Sequence, residues 1–125
     1  MVESSSHHKR FPTLTQQLFQ LAAGTVTSNE LVRRSLDAIT ESQPTLNCFR
    51  VVLTEQALAD AAEADRKRAA GKELPLLGIP IAVKDDVDVA GVPTRFGADG
   101  NIRPASADSE VVRRLRAAGA VIVGK

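Results

Sequence analysis

The stretch Leu77-Gly78-Ile79-Pro80-Ile81-Ala82-Val83-Lys84-Asp85-Asp86-Val87-Asp88 decides the fold. A short apolar run ends on a lysine, and three carboxylates follow within four residues. Read as a strand over 79–84, it places Ile79, Ile81 and Val83 on one face and Pro80, Ala82 and Lys84 on the other. Both faces are apolar until the lysine, as in a strand covered on two sides. Pro80 has no ladder donor and belongs near the strand start or at an edge.

The sequence downstream reads as a return to a second buried strand. Val87, Val89 and Val92 surround a turn at Ala90-Gly91, and residues 95–105 are irregular, with Gly97, Gly100 and Pro104. Ser106 or Asp108 caps a helix carrying Val111, Val112, Leu115 and Ala118 at helical spacing. Gly119 ends that helix, and residues 120–123 form a short buried strand. Strand, crossover helix, strand is a parallel unit. A chain that stops directly after a buried strand is expected to be cut from something longer.

The sequence upstream reads as helical. Thr13 with Gln16 makes a capping box for a helix over 13–23, with Leu14, Leu18 and Leu21 on one face and Gly24 as its stop. Thr27 with Glu30 opens a second helix, whose inner face carries Leu31, Val32, Ser35, Ala38 and Ile39 and which Pro44 ends. Residues 46–53 are expected to form a strand with Cys48 as a small core residue. Thr54 caps a third helix, with Ala57, Leu58, Ala61, Ala62 and Asp65 on one side. Arg66, Lys67 and Arg68 close it as a solvated, dipole-compensating end. The fold class is therefore α/β: a helical N-terminal section followed by the first strand-helix-strand part of a mixed sheet covered by helices.

The totals bound the function. The 125 residues suffice for one modest domain, and a net charge of +1 speaks against a nucleic-acid or anionic-membrane partner. With no Trp, no Tyr and four Phe, there are few platforms for stacking bases. One cysteine, Cys48, allows no internal disulfide and fits a reducing compartment. No apolar run approaches the roughly 20 residues of a membrane span. A cytoplasmic location is expected. Residues 1–12 read as a polar, disordered leader in which His7 and His8 have no further metal-ligand pattern around them.

Residues 119–125 also read G-x-x-x-x-G-K, the spacing of a phosphate-binding loop. The context excludes it, because Ala120-Val121-Ile122-Val123 is an apolar strand and the motif follows a helix, whereas the phosphate loop follows a strand.

Lys84 is the candidate for chemistry. A lysine at the carboxyl end of a buried strand sits where open α/β sheets bind ligands. Apolar neighbours such as Ala82 and Val83 would lower its pKa from about 10.4, and a neutral amine accepts a proton from a serine. The bland alternative is a surface lysine paired with Asp85, Asp86 or Asp88, and on residue type alone that alternative is the commoner one.

Gly78-Ile79-Pro80-Ile81-Ala82-Val83-Lys84-Asp85 resembles the lysine motif of the amidase signature family. Gly91-Val92-Pro93-Thr94 resembles the family's glycine-threonine segment, and residues 107–125 resemble the helix and strand that follow it. The resemblance implies an incomplete amidase signature fold, with residues 13–125 as the N-terminal part of a single domain. It implies a Ser–cis-Ser–Lys triad in which Lys84 is the catalytic lysine, acting on a small-molecule amide through a serine acyl-enzyme. No metal or cofactor is implied. Both family serines lie in a Gly/Ser-rich segment beyond position 125, so the chain alone is expected to be inactive. Thr94-Arg95-Phe96-Gly97-Ala98 departs from the paired threonines and Gly-Ser of many members. Two other assignments fit the same residues: the N-terminal part of the A subunit of a glutamyl-tRNA(Gln) amidotransferase, and a non-catalytic remnant or interaction module. The expected protein partner is the remainder of the domain or a second copy of the chain.

Overall fold

The computed structural model describes residues 11–125, so the leader residues His7 and His8 lie outside the described residues. Helix α1 (Leu14–Ala23) begins with the expected capping box between Thr13 and Gln16, and Gly24 closes it in the left-handed conformation. Its inner face is narrower than the leucine spacing suggests: Leu21 is buried, Leu18 is half-buried, and Leu14 is 47% exposed.

Helix α2 (Ser28–Leu46) is capped by Thr27, whose side chain accepts the Glu30 N–H. It buries Leu31, Val32, Leu36 and Ile39; Ser35 and Ala38, on the expected inner face, are only half-buried, and Leu36 takes their place in the core. Pro44 does not end the helix. It lies inside the last turn, and the helix stops three residues later, where Asn47 takes the left-handed conformation and donates its N–H to the Gln43 carbonyl. Near a helix end a proline gives up only one bond, so the stop falls where a left-handed cap is available.

The strand expected over 46–53 does not form as one. Leu46 belongs to α2, and the Gln43 amide takes both ladder groups of Phe49: its Nε2 donates to the Phe49 carbonyl at 2.8 Å and its Oε1 accepts the Phe49 N–H at 3.0 Å. Only the end of the segment pairs: residues 50–53 run antiparallel to 123–125, with Val52 opposite Gly124 and the Leu53 N–H donating to the Val123 carbonyl at 2.9 Å. Cys48, expected in the core, is exposed. Helix α3 (Thr54–Ala69) follows with Leu53 at its cap position and no side-chain capping bond, so Thr54 is its first residue and not its cap. Its buried residues are Ala57, Ala61 and Ala64, which let α2 approach closely. Arg68 does more than solvate the helix end, because its guanidinium donates to the Leu77 carbonyl at 2.7 Å.

Strand β1 (Pro80–Ala82) pairs in parallel with β2 (Val121–Gly124), joined by the crossover helix α4 (Glu110–Ala117). The register slips by one residue between Ile81 and Ala82. Neither Ser106 nor Asp108 caps α4; Ser109 does, accepting the Val112 N–H. Asp108 instead accepts the Ala90 N–H at 2.8 Å and pairs with Arg116 at 3.1 Å.

Two-sided burial belongs to β2 rather than β1. Val121 and Val123 pack on one side with Val32, Leu36, Ile39, Ala57 and Ala61, while Ile122 packs on the other with Val83, Val89 and Val112. That alternation is the period-two pattern of a central strand, and each such side chain contributes roughly 1.5–3 kcal/mol by burial. In β1 the Ile79, Ile81, Val83 side is covered as expected, but Ala82 and Lys84 on the other side are exposed. Pro80, at the start of that side, is half-buried.

Two glycines set how closely the layers approach. Gly119, at φ 94°, turns the end of α4 into β2, and a Cβ there would stand 2.6 Å from the Leu77 Cα. At Gly124 a Cβ would stand 2.6 Å from the Val51 carbonyl oxygen, so only glycine lets residues 50–53 lie against β2.

Candidate active site

Lys84 follows directly on β1. The Val83 N–H donates to the Gly124 carbonyl at 3.0 Å, which is the last tie to β2 before it, and the Lys84 carbonyl accepts the Val87 N–H at 3.1 Å, which turns the chain. The amine therefore stands at the carboxyl end of a parallel strand, on the edge of a groove of about 1060 Å³. Cys48, Arg50, Phe96 and Asp99 line the same groove. No serine among the described residues lines it.

The three carboxylates after Lys84 have three different partners. Asp86 pairs with Lys84, Oδ2 to Nζ at 3.1 Å, with the lysine side chain 84% exposed. Asp85 turns inward: its Oδ1 lies 3.1 Å from Lys125 Nζ, and its Oδ2 lies 3.5 Å from Arg50 Nε, within ion-pair range but without hydrogen-bond geometry. Asp88 Oδ1 accepts the Thr94 hydroxyl at 2.6 Å. Of the partners expected for Lys84, the structure selects Asp86 alone. The apolar enclosure expected from Ala82 and Val83 is not formed by the described residues, because Val83 points into the core and Ala82 is itself exposed.

The residue that sequence reading missed is Lys125. Its side chain is fully buried, and its ammonium donates to Thr94 Oγ1 at 3.0 Å beside the Asp85 carboxylate. A signal was available. Strand alternation sends Asp85 to the same side as Val83, and the parallel register brings the end of β2 alongside it. Opposite charges at matching ends of two paired strands point to such a pair.

A family model described as Amidase matches residues 30–125. The chain belongs to the amidase family. A protein of Mycobacterium tuberculosis provisionally named amidase AmiA2 is 73% identical over 122 residues, covering 98% of this chain and 25% of that protein. The A subunit of the glutamyl-tRNA(Gln) amidotransferase of Rhodopirellula baltica is 44% identical over 112 residues, covering 86% of this chain and 22% of that protein. Among solved structures, the peptide amidase of Stenotrophomonas maltophilia superposes with a TM-score of 0.82 at 34% identity, over 94% of this chain and 25% of that enzyme. The chain thus spans about a quarter of the length of the curated relatives it matches. The amidase fold accounts for the mixed α/β architecture. No helix among the described residues is long and apolar enough to cross a membrane.

Proposed function

We propose that this chain contributes the catalytic lysine, Lys84, to an amidase that cleaves a carboxylic amide to a carboxylate and ammonia or an amine. The observation that carries the reading is the contrast between the two lysines at the strand ends. The Lys125 side chain is buried and held by Asp85 and Thr94, whereas the Lys84 side chain is exposed at the edge of the groove.

In the mechanism that the family resemblance implies, neutral Lys84 accepts a proton relayed by a bridging serine from a nucleophilic serine. The serine oxygen bonds to the amide carbonyl, the C–N bond breaks, and the proton held at Lys84 leaves with the amine. Water then attacks the acyl-enzyme and releases the carboxylate, with backbone amides stabilising each oxyanion. Lys84 and the groove wall are what these 125 residues supply. Neither serine is among the residues around Lys84, so the chain by itself is expected to leave amides intact. Residues 13–125 act as part of a single domain, and a chain with one cysteine suits the cytoplasm.

The test is a chimera in which this chain replaces the matching quarter of Mycobacterium tuberculosis AmiA2. The chimera is expected to hydrolyse simple aliphatic or aryl amides, and Lys84→Ala to lower kcat by about 100-fold or more. Undiminished turnover in Lys84→Ala would overturn the reading, as would amide hydrolysis by the 125-residue chain alone that survives Lys84→Ala. Stable copurification with partner proteins and glutamine-dependent ammonia release would favour an amidotransferase component instead. The 73% identity to AmiA2, against 44% to the amidotransferase component, favours the simple amidase.

A further inference from the structure

The Lys125 side chain has no solvent exposure, and a buried ammonium is costly unless it is paired and hydrogen-bonded. Its two oxygen partners lie on separate segments. Asp85 stands in the turn after β1, and Thr94 lies in the loop beyond Gly91 and passes the connection on to Asp88 through its hydroxyl. As mere glue this is an inefficient choice, because well-packed apolar residues often stabilise as much as a buried ion pair or more. What an ion pair adds is a fixed geometry, and the residue whose geometry it fixes is Lys84.

Lys84 is held on both sides. Before it, the Val83 N–H is tied to Gly124. After it, Asp85 is tied by its carboxylate to Lys125, while its carbonyl accepts the Phe96 N–H at 3.1 Å. With Val83 and Asp85 directed inward, alternation sends Lys84 outward into the groove. We propose that Lys125 is a positioning residue for Lys84, holding Asp85 inward so that the strand end presents the Lys84 amine to the groove with Asp86 as its close carboxylate. This inference rests on the reading of Lys84 as the catalytic base.

The charged groups lining the groove around Lys84 are Asp85, Asp86, Asp99, Arg50 and Lys125. Removing the Lys125 cation leaves Asp85 without its inward tie. A purely structural loss lowers the folded fraction of the whole chain, whereas a positioning loss is local to the strand end beside Lys84.

The AmiA2 chimera carries the kinetic test, with Lys125→Met, Lys125→Arg and Lys84→Ala. Lys125→Met is expected to lower kcat by about tenfold or more with KM within about twofold. Lys125→Arg keeps the charge on a bulkier, planar head and is expected to fold, with an intermediate kcat. An unchanged kcat in Lys125→Met, with Lys84→Ala inactive, would overturn this proposal alone. Full activity in Lys84→Ala would instead overturn the reading beneath it. Amide hydrogen exchange on the 125-residue chain gives an answer independent of catalysis. Lys125→Met should lose protection at the Val87 and Phe96 amides and keep it at Leu36 in α2. A uniform loss, or no loss, would refute the positioning role.

Discussion

Asp65, on the third helix, caps the second. Its two carboxylate oxygens accept the backbone N–H groups of Ser28 at 2.8 Å and Asn29 at 3.0 Å. The Thr27 hydroxyl accepts the Glu30 N–H at 3.1 Å, and the Thr27 carbonyl accepts the Leu31 N–H at 3.1 Å. The first three N–H groups of the helix, which have no partner within it, are thereby satisfied, two of them by a side chain 36 or 37 positions away in sequence. Ser28 carries the connection onward, its hydroxyl donating to the Gly78 carbonyl at 2.8 Å just ahead of β1. Asp65→Ala is expected to lower stability by about 1–2 kcal/mol, the usual worth of a capping side chain. Urea denaturation checks it: the midpoint should fall with an unchanged slope, and an unchanged midpoint would show that α2 does not depend on this cap.

Gly119 is the second place where local geometry and packing are joined. Its positive φ would strain any side chain, and the Cβ would press on backbone at Leu77 rather than on a flexible side chain. The same turn accepts the Gly78 N–H at 2.8 Å through the Gly119 carbonyl and the Leu76 N–H at 2.8 Å through Ala118. Gly119→Ala should therefore cost about 2 kcal/mol or more, beyond the strain of a left-handed residue alone. A thermal melt within error of the parent protein would contradict this.

What the sequence disclosed and what it withheld divide along physical lines. Capping at Thr13 and Thr27, the stop at Gly24 and the parallel return through α4 depend on near neighbours or on strong periodicity, and the structure bears them out. The end of α2 and the segment after it depend on competition for hydrogen bonds. There the Gln43 side chain occupies Phe49's backbone groups, and no propensity foretells that. At the candidate site the lysine motif singled out Lys84, but which partner each of the three carboxylates takes depends on the register of β1 against β2. Lys125 escapes a reading that compares its spacing with a phosphate loop, because its place at the end of a buried strand is the informative fact.

Cys48 tests the corrected path of the chain after α2. It is exposed and lines the groove beside Lys84. In the native protein an aromatic disulfide reagent should label it within about tenfold of the rate for a small free thiol, without denaturant. Cys48→Ser should change stability by no more than about 0.5 kcal/mol. Labelling that waits for unfolding would restore the buried strand first expected over 46–53.

Glu110 offers the clearest dependence on pH. It opens α4, where its carboxylate accepts the Arg113 Nε at 2.8 Å and the Arg114 Nε at 2.8 Å. These two hydrogen bonds, Arg113's the larger influence, hold its pKa near 2 instead of the ordinary 4.5. A folded value below the unfolded one means that the stabilisation is present above about pH 4.5 and is lost as the pH falls toward 2. The group is exposed, so salt screens the effect and its share of total stability is small. An NMR titration should place the Glu110 midpoint near 2 at low ionic strength and move it upward in added salt. Glu110→Gln should melt below the parent protein at pH 6, and the two should converge toward pH 2. A midpoint near 4.5 at low salt would mean that the arginines do not hold the carboxylate in solution, and that α4 begins on its Ser109 cap alone.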